Sequence, residues 1–197
     1  PRGFGLSGVM AMRTAGFPGR RRRATLCAMS PARVGETDKV RIHLLRHAHA
    51  GNAFEWIGDD DLRPLTDKGR RQCQRLGAFL EEHAVRPDVI VSSPKVRAAQ
   101  TADIVAGLLG MTVKSDQRLG EGFGKRELWA LLDETGAREI MLVGHDPDFS
   151  TLLAYLIDTA GISMKKGALA TIDLHTKLGD GEGELRWLVP PDLLTTK

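Results

Sequence analysis

From Lys39 onward the chain alternates short, β-branched apolar runs with stretches whose apolar residues recur every three or four positions, which is the pattern of strands separated by helices. Val40-Arg41-Ile42-His43-Leu44-Leu45 reads as the first strand. Thr66 and Asp67 offer N-cap oxygens to a helix over 68–83, with Cys73, Leu76, Phe79 and Leu80 on one face. A second strand is predicted at 88–92. Pro94 then opens a helix carrying Ala98, Ala102, Ile104, Val105 and Leu108, and Gly110 ends it. A short strand near 112–113, a helix over 126–134 and a third clear strand at 139–143 follow. Asp148 caps a helix over 149–156. Two late segments, 168–174 and 184–189, alternate as strands and form a hairpin at a sheet edge, with the turn at 179–183. This order predicts an α/β domain: a mostly parallel central sheet flanked by helices, in a three-layer sandwich. A chain of 197 residues accommodates one such domain, assigned to 39–197, and no internal repeat interrupts it.

Residues 1–38 have no periodic apolar pattern and no acid before Glu36. They are rich in Gly, Ala, Arg and Ser, the composition of a chloroplast or mitochondrial transit peptide. A disordered extension without a targeting role is the competing reading, with Met10, Met12 and Met29 as alternative starts. Eight basic residues in 1–39 stand against Glu36 and Asp38, a balance of +6 within a total of +3, so the body carries −3. An acidic body offers no basic face to neutralise nucleic-acid phosphates, and no nucleic-acid partner is expected. Cys27 and Cys73 form no C-x-x-C pair, which points to a reducing compartment rather than to a disulfide framework or zinc site. No stretch approaches the roughly eighteen apolar residues of a membrane-spanning helix, so no membrane partner is expected.

The chemistry lies where the strands end. The first strand leads into Arg46-His47-Ala48-His49, the second into Ser92-Ser93-Pro94-Lys95-Val96-Arg97, and the third into Gly144-His145-Asp146-Pro147. Open α/β sheets bind ligands at the carboxyl ends of parallel strands, and adjacent strands would bring these three ends together. The resulting set is one imidazole able to act as nucleophile, two guanidinium forks and a second imidazole. It fits a phosphoryl group, whose transfer spreads negative charge over three oxygens that bidentate arginines match in charge and shape. Attack by an imidazole nitrogen would split one hard displacement into two easier ones, with water finishing the second.

Through Leu45-Arg46-His47-Ala48, Ser93-Pro94-x-x-Arg97-Ala98-x-Gln100-Thr101-Ala102 and Val143-Gly144-His145, the chain resembles the histidine phosphatase (phosphoglycerate mutase-like) superfamily. Asp61-Leu62-Arg63-Pro64-Leu65-Thr66-x-x-Gly69 and the compact body resemble the SixA-type protein histidine phosphatases. The resemblance covers the chain from about Lys39 and implies a phosphoglycerate mutase-like fold. It further implies His47 as the nucleophile, with Arg46, Arg97 and His145 binding the phosphoryl oxygens. The activity it implies is hydrolysis of phosphohistidine on a protein, without metal or organic cofactor. A small-molecule phosphate-ester phosphatase of the same superfamily is the alternative, and a phosphoryl-binding protein without turnover is the third reading.

Three further residues are candidates. Glu121, in Leu119-Gly120-Glu121-Gly122, could protonate a leaving oxygen or lie in a surface loop. His49 could line the pocket mouth, and Asn52 follows the first motif where phosphoglycerate-handling relatives often carry Asn. His43 is expected to be structural. His43, His47 and His49 have no acidic or cysteine partner to complete a metal site, and none is assigned.

Overall fold

The computed structural model describes residues 39–175 and 183–194. The leader, Cys27 and turn residues 179–182 lie outside them. Six strands form one sheet: β1 (Lys39–Arg46), β2 (Val89–Ser92), β3 (Val113–Ser115), β4 (Glu139–Gly144), β5 (Leu169–His175) and β6 (Glu184–Val189). Their order is β3-β2-β4-β1-β5-β6. β3, β2, β4 and β1 run parallel, while β5 pairs antiparallel with β1 and β6 antiparallel with β5. The late hairpin is therefore only half at an edge: β6 is the edge strand, and β5 is interior with no strand residue exposed.

Two helices cover each face. Ile42 and Leu44 of β1, with Ile140 and Leu142 of β4, pack with residues of α3 (Lys125–Thr135) and α4 (Asp148–Leu156). Leu45, Met141 and Val143 pack on the opposite side with α1 (Asp67–Glu82) and α2 (Val96–Leu109). Strands buried on both faces need apolar residues at successive positions, which is why β1 and β4 read as nearly continuous apolar runs. This mixed six-stranded sheet flanked by four helices is the α/β sandwich expected from the sequence. Cys73 is buried on α1, where burial pushes its thiol up to about 11.

Several element ends differ from the sequence reading. α2 starts at Val96 rather than at Pro94, because Ser92 and Ser93 are engaged in the strand-end turn: the Ser92 carbonyl accepts from Asp116 N–H, and Ser93 Oγ from Lys95 N–H. The N-cap of α4 is Pro147, not Asp148. The Asp148 carboxylate instead accepts from Phe123 N–H and so ties the 120–124 loop to α4. Thr66 caps α1 as expected, accepting from Gly69 N–H.

Candidate active site

The chain leaves β1 toward α1 on one face and leaves neighbouring β4 toward α4 on the other, so the backbone parts above the carboxyl ends of these two strands. Such a divergence makes a crevice. A cavity of about 410 Å³ opens there, lined by Arg46 at the end of β1 and His47 after it, Lys95 and Arg97 after β2, and His145 after β4. Glu121 lines it as well. Of the sequence-predicted site residues, His49 and Asn52 do not. The His49 ring is turned to Thr66 Oγ1 at 2.8 Å, and the Asn52 side chain caps a 3-10 turn at Phe54 N–H. His43 is buried between Thr171 and Glu139.

The backbone around His47 is fixed from three sides. His47 N–H donates to the Gly144 carbonyl at 2.9 Å, and Gly167 N–H donates to the carbonyls of Arg46 and His47. Ala48 N–H donates to Thr101 Oγ1, and the Gln100 side chain accepts from Leu65 N–H. The motif residues Thr101 and Gln100 thus hold the loops beside the imidazole rather than touching the cavity. Gly144 and Gly69 are required by close approach. A Cβ at Gly144 would lie 2.6 Å from the Phe149 ring, and one at Gly69 would lie 2.1 Å from the His49 carbonyl oxygen.

His47 Nδ1 lies 2.8 Å from the Ala48 carbonyl, which can only accept, so Nδ1 carries the proton and Nε2 keeps its lone pair. Burial is the largest influence on this ring. Together with the positive neighbours it outweighs the Ala48 hydrogen bond and pushes His47 down to about 3. The side chain is therefore a neutral imidazole at physiological pH. His145, whose ring centroid lies 5.2 Å away, is pushed down to about 4 by burial and by Arg97 and Lys95. Its Nε2 lies 2.8 Å from Ser93 Oγ. That hydroxyl also accepts from Lys95 N–H; in the arrangement in which it donates its own hydrogen to His145 Nε2, Nδ1 carries the ring proton.

Among the described residues, the buried side-chain polar atoms without a hydrogen-bond partner are Arg46 Nε, Arg97 Nε and His145 Nδ1. All three belong to this cavity, and all are donors in the arrangement above. A buried polar group left unsatisfied costs about 1–3 kcal/mol, more for a charged one. Leaving three such donors around one neutral imidazole makes sense where an anion supplies the acceptors.

The rim is built from ion pairs. Arg46 contacts Asp146 at 3.3 Å and donates to the Met164 carbonyl. Asp60 bridges Arg63 Nε at 2.7 Å and Arg97 Nη2 at 3.2 Å, while its carbonyl accepts from Arg97 Nη1. The Arg63 hydrogen bond holds the Asp60 carboxyl below the usual carboxylate range. Lys95 Nζ pairs with Glu121 at 2.6 Å and Asp61 at 2.9 Å. Burial opposes the Lys95 charge, but those two hydrogen bonds prevail and hold the ammonium above its ordinary value. Asp60 is half exposed while Arg63 and Arg97 are buried, so solvent screens these pairs only in part.

Residues 42–129 match the model of the histidine phosphatase superfamily (branch 1). Over these residues, just under half of its length, the chain is similar to the histidine phosphatase superfamily. The structure of the protein histidine phosphatase SixA complexed with tungstate aligns with a TM-score of 0.67, over 79% of this chain and 100% of that one, at 24% identity. The fold is thus the phosphoglycerate mutase-like one. An uncharacterised protein of Picosynechococcus sp. is 28% identical over 169 residues, 77% of this chain and 100% of that protein. A putative phosphoserine phosphatase of Hydrogenobacter thermophilus is 35% identical over 101 residues, and the chain spans about half its length.

Within this family frame the cavity holds three cations that the sequence reading did not single out: Arg63, Lys95 and Lys166. Arg63 and Lys95 sit inside motifs already quoted, and the signal was their charge beside apolar neighbours such as Pro64 and Pro94. Lys166 gave no signal. It reaches the site only because Gly167 N–H joins the carbonyls of Arg46 and His47, a long-range contact. Burial and the neighbouring arginines lower its ammonium.

Proposed function

We propose that the protein hydrolyses phosphohistidine on protein substrates through a covalent phosphohistidine at His47. The observation that carries this reading is the neutral His47 imidazole, its Nδ1–H committed to the Ala48 carbonyl and its Nε2 facing a ring of buried donors. In the first step Nε2 forms a bond to phosphorus as the bond from phosphorus to the substrate imidazole breaks. The leaving ring keeps the proton on its other nitrogen and departs neutral. Arg46, Arg97 and His145 Nδ1–H hold the equatorial oxygens. In the second step water attacks phosphorus, the bond to Nε2 breaks, and inorganic phosphate leaves with His47 neutral again. Attacking and leaving groups are the same chemical species, so the exchange needs little help from a dedicated acid.

Glu121 supports the same reading. Its carboxylate accepts from Lys95 Nζ at 2.6 Å, an arrangement that uses it as an acceptor rather than as a proton donor. Its presence in the cavity lining is also what favours the second reading, a phosphate-ester phosphatase in which Glu121 protonates the departing alkoxide. A side-by-side measurement of kcat/KM on phosphohistidine and on a panel of alkyl phosphates separates the two. Faster phosphohistidine turnover is expected. Faster alkyl ester turnover, with Glu121→Gln slowing it on the order of a hundredfold, would replace this reading with the second.

A further inference from the structure

Residues 51–62 form the wall of the cavity that supplies Asp60, and their outer surface is unlike the rest of the domain. Phe54 is 99% exposed and Ile57 94%, with Leu62 and Trp56 also open to solvent. Four large apolar side chains thus stand exposed within nine residues, where isolated ones would be unremarkable. The loop does not present them through lack of internal order. Asn52 caps Phe54 N–H and donates to Glu55, Trp56 Nε1 donates to the Asp59 carbonyl at 3.0 Å, and Asp59 caps Asp61 N–H. These hydrogen bonds bind the backbone into two 3-10 turns (Ala53–Glu55 and Asp60–Leu62) and hold the apolar groups outward. The charge of the segment has one sign: Glu55, Asp59, Asp60 and Asp61, with no Lys or Arg between 51 and 62. Asp60 and Asp61 turn inward to Arg97, Arg63 and Lys95, which leaves Glu55 and Asp59 beside the patch.

We propose that residues 54–62 are the docking surface for the protein substrate, one that presents an apolar area edged by basic residues next to its phosphorylated histidine. The proposal rests on the phosphohistidine reading above. A substrate small enough to fit the cavity would gain nothing from Phe54 or Ile57, neither of which lines it. A protein would cover both as its phosphohistidine enters beside Asp60, and apolar anchors within a charged rim are what protein interfaces use. An anionic membrane surface is disfavoured by the four acids.

The test measures the full chain on two probes: core histone phosphorylated on histidine with phosphoramidate, which is basic, and free phosphohistidine. Phe54→Ser with Ile57→Ser is expected to raise KM for the histone about tenfold or more, with little change in kcat and none in either constant on free phosphohistidine. Glu55→Lys is expected to raise the histone KM in the same selective way. Unchanged histone kinetics in these variants, with a wild type that hydrolyses both probes, would overturn the docking surface, as would an equal loss on both. A wild type inactive on both probes would remove the reading beneath the proposal and the proposal with it. Sedimentation showing a wild-type dimer that the double variant dissolves would assign the patch to a second copy instead. A lowered histone KM on replacing Arg20, Arg21, Arg22 and Arg23 by Ser would assign it to the basic leader.

Discussion

The floor and the rim of this cavity are built by different means. On the floor, His47 and His145 follow directly from β1 and β4, and their positions are fixed by the sheet itself: His47 N–H bonds to Gly144 across the strand ends, and Ser93 N–H bonds to Val143. The rim is held by side chains. Asp60 reaches Arg97 across 37 residues of sequence, Glu121 reaches Lys95 across 26, and Lys166 reaches the Gly51 carbonyl across 115. Under the proposed function, floor groups meet the phosphoryl group, which is the same whatever carried it. Rim geometry meets the part of the substrate that differs, so it governs selection. Changes to the floor should therefore damage all substrates alike, and changes to the rim should separate them.

The most severe test of that division is His47→Ala. Among the described residues lining the cavity the other neutral imidazole is His145, whose Nε2 is engaged with Ser93 Oγ, so turnover should be lost on phosphohistidine and on any activated phosphate ester, measured by phosphate release. Retained turnover on one of them would show a second nucleophile.

Arg97→Ala and His145→Ala should each lower kcat/KM on the order of a hundredfold or more, to similar extents on phosphohistidine and on an aryl phosphate, since each removes charge stabilisation from the transferring group. A loss confined to one substrate would show that the residue meets the part of the substrate that differs rather than the phosphoryl group.

Acid should act on the floor late. With His47 pushed down to about 3 and His145 to about 4, both rings stay neutral well below the ordinary histidine value. Protonation of His47 removes the attacking lone pair, so its contribution to the acid limb of kcat/KM on an aryl phosphate should fall below about pH 4 and not near 6.5. Stability follows the same groups with a definite sign. Between about 6.5 and 4 the unfolded chain takes up protons on these imidazoles while the folded protein does not, so stability falls as pH drops through that window. His47→Gln should flatten the decline in Tm between pH 7 and 5. An identical slope would mean that His47 titrates normally in the fold.

Glu121→Gln should have the smallest effect, within about twofold on phosphohistidine, because a neutral leaving imidazole asks for no dedicated acid. The same variant measured on alkyl phosphates sharpens the contrast, since only there would the loss of a carboxyl proton be felt.

The unequal legibility of the two regions has the same cause. Strand periodicity and the residues at strand ends are local features, so β1, β2 and β4 and the convergence of Arg46, His47, Arg97 and His145 could be read directly. Where the sequence reading slipped, a contact distant along the chain had intervened. Asp148 reads as an N-cap until Phe123 is seen to use its carboxylate, and Pro94 reads as a helix start until Ser92 and Ser93 are seen to be held by Asp116 and His145. His49 and Asn52 point away from the cavity for a local reason that proximity to the motif did not reveal: each is spent on turn and cap hydrogen bonds. Lys166 is the extreme case, brought to the site beside Gly167, whose N–H bonds to Arg46 and His47 no spacing encodes.

The central claim is that His47 itself takes the phosphoryl group, and the most direct measurement is the chemistry of the bound phosphate after rapid quenching of turnover with a labelled substrate. A phosphoramidate is labile in acid and stable in alkali, whereas phosphoserine survives acid and an acyl phosphate is destroyed by alkali. The account predicts one alkali-stable, acid-labile label, mapped to His47 and absent from His47→Ala. A label that survives acid, or one that maps to any other residue, would contradict it.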